Sequence, residues 1–242
     1  MNYGVHDYSG LEERIGYHFI DKGYLDTAFT HKSFTNEYRS EGISSYERLE
    51  FLGDSLLEFI SSRELYDRYP EKPEGELTKL RASLVCEYTL SQISRSLGYG
   101  EYLYLSRGED ITGGRERNSI LCDLFESVLG AIYLDGGLEP AKDYVMKHLM
   151  TDIEKKALFH DSKSILQEYS QKYGFNLIYK EISVTGPDHC HVYTVQACMG
   201  PLGEETEYEK GEANTKKGAE QIAAHKTLVK LGINDLSDVK YK

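Results

Sequence analysis

The spacing of apolar residues changes once along this 242-residue chain, near residue 160. From about Leu11 to Phe159, apolar residues recur with a helical period, and Gly or Pro residues separate the segments. The predicted helices cover residues 11–19, 22–30, 46–69, 76–97, 118–134 and 138–158. This half of the chain should therefore fold as an all-α domain.

Beyond the segment LFHDSKS the pattern differs. A short helix at about 163–173 precedes NLIYKEISV and HVYTVQACM, which are rich in β-branched and aromatic residues, and TEYEK is a candidate third strand. A long amphipathic helix follows, from about Thr215 to Leu231. The order α-β-β-β-α predicts a second domain of the α+β class. We predict these limits: first domain 1–158, linker 159–163, second domain 164–234 and C-terminal tail 235–242.

Composition excludes several classes of protein. The chain has neither an apolar run long enough for a membrane span nor the basic start of a signal peptide, so we expect a cytoplasmic protein without a membrane partner. Its four cysteines form no CxxC motif, which disfavours a disulfide framework. Residues 1–160 hold 18 basic and 28 acidic residues, and residues 161–242 hold 10 and 12. Binding to a nucleic acid would therefore need a local basic patch or bound cations.

The stretch YERLEFLGDSLLEFI, residues 46–60, places acids in a helix that its apolar residues should bury. Glu47, Glu50 and Asp54 stand at i, i+3 and i+7, so they share one stripe of the helix. Gly53 costs about 1 kcal/mol relative to Ala inside a helix, which indicates close approach by another element. The alternative is the solvated stripe of an ordinary amphipathic helix.

A second predicted helix has the same contradiction. SILCDLFESVLGAIYLD carries Asp123 and Glu126 at i and i+3 in an otherwise apolar segment. Brought together, the two helices would form a carboxylate cluster in which each acid raises the pKa of the others, and a divalent cation would relieve the repulsion. Carboxylates without Cys or His indicate a hard ion, and Mg²⁺ fits best. The expected chemistry is phosphodiester hydrolysis.

Several motifs resemble bacterial ribonuclease III. ERLEFLGDSLLEF is similar to the signature of that family, and THKSFTNE, PEGELTKLRASLV and SILCDLFESVLGAIYLDGG extend the resemblance over the nuclease domain. The resemblance implies metal-binding carboxylates at Glu50, Asp123 and Glu126, with Asp54 as the remaining catalytic acid. It implies supporting roles for Glu47 and Glu74, whereas Glu58 lies outside the matched acids and should be a surface or salt-bridged residue.

Three further residues near these motifs have less distinctive chemistry. His31, in THKSFTNE, has no nucleophile or second acid tied to it, so we expect it to be structural. Arg115 and Arg117, in TGGRERN, could contact phosphates or solvate a loop, and the sequence favours neither.

The second domain resembles the double-stranded RNA-binding domain of the same family, with KSILQEYSQK at its start and KKGAEQIAAHKTL near its end. Such a domain contacts 2′-hydroxyls and minor-groove edges with two elements and phosphates with a third. Lys216 and Lys217 open the last predicted helix, where free N–H groups and the helix dipole attract an anion. The resemblance implies minor-groove contacts for Gln167, Glu168 and His189.

These features predict a multidomain chain, an all-α endonuclease domain followed by an α+β RNA-binding domain. The resemblance implies a homodimeric, Mg²⁺-dependent enzyme that cuts double-stranded RNA, leaves 5′-phosphate and 3′-hydroxyl ends, and processes rRNA precursors and some mRNAs. One alternative is a catalytically inactive RNA-binding protein, whose expected signature is loss of the acids. Another is a carboxylate-bridged metalloenzyme for small phosphoesters, which would leave the second domain without a purpose.

Overall fold

The computed structural model describes residues 6–38, 42–186 and 191–239, and the chain divides into two compact units between Thr151 and Asp152. The first unit is helical, as predicted. Its helices are α1 (Ser9–Ile15), α2 (Gly23–Ala28), α3 (Lys32–Glu37), α4 (Glu47–Arg68), α5 (Glu74–Leu84), α6 (Glu87–Ser96), α7 (Arg107–Ile111), α8 (Asn118–Gly136) and α9 (Leu138–His148). None of the helices in the described ranges has the length and apolar composition needed to cross a membrane.

Helices α4 and α8 cross at a pair of glycines. A Cβ atom on Gly53 would lie 1.8 Å from the carbonyl oxygen of Glu126, and a Cβ on Gly130 would lie 2.3 Å from that of Leu49. Only residues without a side chain fit between backbones this close. The close approach predicted from Gly53 is therefore confirmed, and it brings the acidic stripe of α4 beside α8.

Some helix boundaries differ from the prediction. The segment 76–97 forms two helices because the backbone becomes extended at Cys86, with φ −77° and ψ 153°. The predicted helix 138–158 is interrupted after His148, and Asp152 adopts a left-handed conformation with φ 50°. Helices α3 and α7, of six and five residues, were not predicted.

The second unit has the predicted order α-β-β-β-α. It comprises α10 (Ile153–Lys172), β1 (Asn176–Thr185), β2 (Val192–Gly200), β3 (Thr206–Ala213) and α11 (Lys216–Lys230). The sheet is antiparallel in the order β1-β2-β3. Its core combines residues of both helices, Leu158, Ile165, Leu166, Ala224 and Leu228, with Met199 of β2. A Cβ on Gly211 of β3 would lie 2.0 Å from the carbonyl oxygen of Ala219, so here too a glycine permits a close crossing.

Residues 159–163, which we expected to form a linker, lie inside α10. Their polar side chains bond within the second unit: Ser162 Oγ donates to the carbonyl of Leu158 at 2.7 Å, and Lys163 pairs with Glu220 of α11 at 2.5 Å. The polar residues of 159–163 therefore make contacts within α10 and between α10 and α11, and α10 continues through this segment. In the predicted tail, Leu236 and Val239 pack against the core of this unit.

Candidate metal centre and RNA interface

Three of the predicted acids converge at the crossing of α4 and α8. Glu50 comes from α4, and Asp123 and Glu126 lie one turn apart on α8. One carboxylate oxygen from each lies within 4.8 Å of the others, and all three side chains are half-buried. The glycine crossing thus turns two separate acidic stripes into one cluster.

The cluster has little internal charge compensation. Among the described residues, none of its three acids forms an ion pair closer than 4 Å. Burial and the nearby charge of Asp123 raise the pKa of Glu50 to about 7. Burial and the charge of Asp54 raise the pKa of Glu126 to about 8. At neutral pH the cluster therefore holds protons that a cation would displace.

The donor set suits a hard divalent cation. Ions with bonds of about 2.1 Å place two oxygen ligands at most about 4.2 Å apart, and the oxygens of the cluster lie within 4.8 Å of one another. Small side-chain rotations would close that difference. Since all three donors are carboxylates, they match the oxygen chemistry of such ions, and the cluster could hold a metal.

The remaining predicted acids surround this cluster. Asp54 is exposed one turn beyond Glu50 on α4, and its charge contributes to the raised pKa of Glu126. Glu47 is exposed and pairs with Lys32 at 3.2 Å. Glu74, also exposed, begins α5 and accepts a hydrogen bond from Thr78 at 3.0 Å. These three acids are not members of the converging group.

Glu58 forms an ion pair with Arg81 at 2.7 Å, which confirms that it is a salt-bridged residue. From the sequence, no role was assigned to Tyr46, the residue just before α4. Its hydroxyl donates to Asp123 Oδ2 at 3.0 Å, and its side chain is buried. No periodicity or motif relates residues this far apart in sequence, so a search for acids could not find this partner of the cluster.

His31 and the two loop arginines have structural partners. His31 is buried at the N-terminus of α3, where Nδ1 accepts from the backbone N–H of Ser33 at 3.1 Å, an arrangement that fits the expected structural role. Arg115 pairs with Asp110 at 2.8 Å and also donates to two backbone carbonyls. Arg117 pairs with Glu109. The two arginines therefore attach their loop to α7 and to the backbone of Gly100 and Leu103, and acids offset their charges.

The predicted RNA-binding residues are exposed where the structure describes them. Lys216 and Lys217 are the first two residues of α11, and Thr215 caps that helix by accepting from the N–H of Gly218 at 3.1 Å. Gln167 and Glu168 lie exposed on α10, whereas His189 falls outside the described residues. The structure adds a contact that the sequence did not predict, an ion pair of 3.2 Å between Lys216 and Glu181 of β1.

Comparison with known proteins fits this arrangement. Residues 21–153 match the Ribonuclease-III-like family, and residues 162–231 match the double-stranded RNA binding motif. The chain is 41% identical to Ribonuclease 3 of Fusobacterium nucleatum over 228 residues, which is 92% of this chain and 95% of that protein. The chain belongs to the ribonuclease III family. The resemblance and the fold class predicted from its sequence are thus confirmed.

Other members of the ribonuclease III family give the same result. Ribonuclease 3 of Pelotomaculum thermopropionicum is 44% identical over 224 residues, covering 91% of each chain. Among solved structures, the nuclease domain of ribonuclease III from Campylobacter jejuni matches with a TM-score of 0.55 and 39% identity, over 62% of this chain and 98% of that domain. That structure is described as flexible in a region involved in its own dimer formation.

Proposed function

We propose that this protein is an endoribonuclease that hydrolyses phosphodiester bonds of double-stranded RNA with the help of a divalent metal ion. The convergence of Glu50, Asp123 and Glu126, in a chain that also matches a double-stranded RNA binding motif, carries this conclusion. An inactive RNA-binding protein is not favoured, because such a protein would have no need to keep these half-buried acids together. An enzyme for small phosphoesters would leave the second domain unexplained.

We assign Mg²⁺ as the cation, because it accepts a few carboxylates together with water. When bound, Mg²⁺ supplies the Lewis acidity and the activation of water that phosphodiester hydrolysis needs. Glu50, Asp123 and Glu126 would hold it, after Glu50 and Glu126 lose the protons that their raised pKa values retain near neutral pH. Asp54, exposed beside the cluster, is the remaining catalytic acid. Water adds to phosphorus as the bond to the 3′-oxygen breaks, so the products are a 5′-phosphate and a 3′-hydroxyl.

The second domain would hold the duplex. Lys216 and Lys217 are exposed at the N-terminus of a 15-residue helix, where free N–H groups favour phosphate. Gln167, Glu168 and His189 are assigned to the 2′-hydroxyls of the minor groove. In this proposal the enzyme works in the cytoplasm on rRNA precursors and some mRNAs, as the family resemblance implies.

A homodimer is supported by exposed aromatic residues on α4. Phe51, Phe59 and Tyr66 lie on one stripe of the helix and are 78%, 59% and 70% exposed. Large apolar side chains in a row on a surface mark a face that another protein covers. We assign this face to the dimer contact. Phe59→Glu should then shift the sedimentation coefficient of the full chain from dimer to monomer, whereas Ile20→Glu, at an apolar residue 85% exposed off this helix, should not.

The hydrolase proposal is tested with a radiolabelled perfect RNA duplex. Wild-type protein should cut it with Mg²⁺ and not with EDTA, and Asp54→Asn or Glu126→Gln should lower the rate by more than about 100-fold, beyond what loss of an indirect partner costs. Gel shifts in Ca²⁺ should show that both variants still bind the duplex. A matched control is Asp67→Asn, which changes an exposed acid that lies on α4, as Asp54 does, and pairs with Arg63; it should cut the duplex like wild type. No cutting by wild-type protein with Mg²⁺ would defeat the proposal. If the two variants lost duplex binding as much as cleavage, the assignment of catalysis to these acids and of duplex binding to the second domain would be wrong.

A further inference from the structure

Tyr46 connects the two helices that supply the carboxylate cluster. Its hydroxyl donates to Asp123 Oδ2 of α8 at 3.0 Å, and its carbonyl accepts from the N–H of Glu50 in the first turn of α4 at 2.9 Å. The same residue therefore contacts one member of the cluster through its side chain and another through its backbone.

The surroundings of Tyr46 leave its hydroxyl little freedom. The side chain is only 2% exposed, its N–H donates to the carbonyl of Thr30 at 2.9 Å, and its ring lies 5.7 Å from the ring of His31. A buried phenol held at both ends keeps a fixed direction, so its hydrogen bond restricts the rotation of the Asp123 carboxylate.

We propose that Tyr46 is a positioning residue for the metal centre, acting by holding the Asp123 carboxylate in the orientation that meets Glu50 and Glu126. This inference rests on the proposed function of the cluster as a metal site. Groups that orient a ligand in this way typically change metal affinity by about 10–100-fold when removed. A role in core packing alone would require the ring of Tyr46 and not its hydroxyl.

The test is calorimetric titration of the metal-free full chain with Mn²⁺ alone, as a probe of the same hard-ion site. Tyr46→Phe keeps the ring, removes the hydroxyl, and should raise the Kd for Mn²⁺ by about 10-fold. Its matched control is Tyr8→Phe, because Tyr8 is also buried and donates to a carboxylate, Asp26 Oδ1, at 2.8 Å. This control should bind Mn²⁺ like wild type.

A second measurement separates positioning from stability. Cleavage by Tyr46→Phe should need about 10-fold more Mg²⁺ for half-maximal rate and recover at saturating Mg²⁺, since the carboxylates themselves remain. An unchanged Kd in Tyr46→Phe, with binding lost in Glu126→Gln, would overturn the inference and leave the metal site intact. Unchanged binding in Glu126→Gln would overturn both the metal site and the inference.

Discussion

In the first unit the carboxylates of Glu50, Asp123 and Glu126 converge without an ion pair among the described residues, whereas in the second unit Lys216 of the predicted phosphate site already pairs with Glu181. Glu50 and Glu126 retain protons near neutral pH, as their raised pKa values indicate, and in the proposed function a cation from solution displaces those protons. To bind RNA, Lys216 must leave the carboxylate of Glu181 and contact a phosphate instead. The properties of the acid cluster should therefore depend on metal concentration and pH. Duplex binding by the second unit should depend on salt concentration and on the acids near its lysines.

The largest effect we expect concerns the crossing that assembles the acids. Gly53→Ala would place a methyl group 1.8 Å from a backbone oxygen of α8, so the helices must separate. Overpacking of this kind costs about 1–3 kcal/mol or more in unfolding free energy. Chemical denaturation and Mn²⁺ titration of the same variant would measure stability and metal affinity together.

Gly75 supplies the control for that variant. It lies in α5, and among the described residues nothing beyond the local backbone of α5 lies within 4 Å of a Cβ built there, so Gly75→Ala should not destabilise the protein. If Gly53→Ala is as stable as wild type and binds Mn²⁺ equally well, the tight crossing does not assemble the acid cluster.

A second prediction tests the salt response of the other unit. Replacing Lys216 and Lys217 by Ala should weaken duplex binding and lower the slope of log K against log salt by about two, one per lost phosphate contact. Lys226→Ala, at an exposed position farther along α11, should leave the slope unchanged. An unchanged slope in the double variant would remove these lysines from the phosphate site.

The third prediction concerns pH. Glu126 has a pKa of about 8 in the folded protein against an ordinary value of 4.5, so folding favours its protonated form. The stability that this proton supports is complete below about pH 4.5 and is lost as pH rises through 8. The Tm of metal-free protein should therefore fall between pH 5.5 and 8.5, and Ca²⁺ should restore it at the upper end. The decrease should be smaller in Glu126→Gln, and an equal decrease in both proteins would contradict the raised pKa.

The sequence could predict features that depend on neighbouring residues in the chain. The periodicity of α4 and α8 exposed the conflict between apolar faces and acids, and Gly53 in mid-helix indicated that a second backbone lies nearby. The three strands were predicted from composition, and the last helix was predicted from its amphipathic pattern. Local signals were sufficient because each of these features is set within one or two turns of a helix or one strand.

Contacts between distant segments could not be predicted in this way. The pairs Tyr46–Asp123 and Lys216–Glu181 join residues with no shared periodicity. Only the folded structure brings Glu181 of β1 to Lys216. For the same reason, the polar segment 159–163 was expected to be a linker, although it lies inside α10 and its Lys163 pairs with Glu220 of α11.

The smallest effect we expect is a gain of affinity on removing Glu181. Its ion pair with Lys216 is solvent-exposed on both sides, and such pairs contribute about 0.2–1 kcal/mol, so Glu181→Gln should tighten duplex binding by less than about fivefold. Glu209→Gln breaks another exposed pair of the same unit, with Lys230 at the far end of α11, and should leave binding unchanged. The gain in duplex affinity should also vanish when Lys216 is already Ala, because Glu181 then no longer pairs with the lysine that would bind phosphate. A gain that persists in the Lys216→Ala background would mean that Glu181 repels the duplex directly. The ion pair with Lys216 would then not be what lowers the affinity for the duplex.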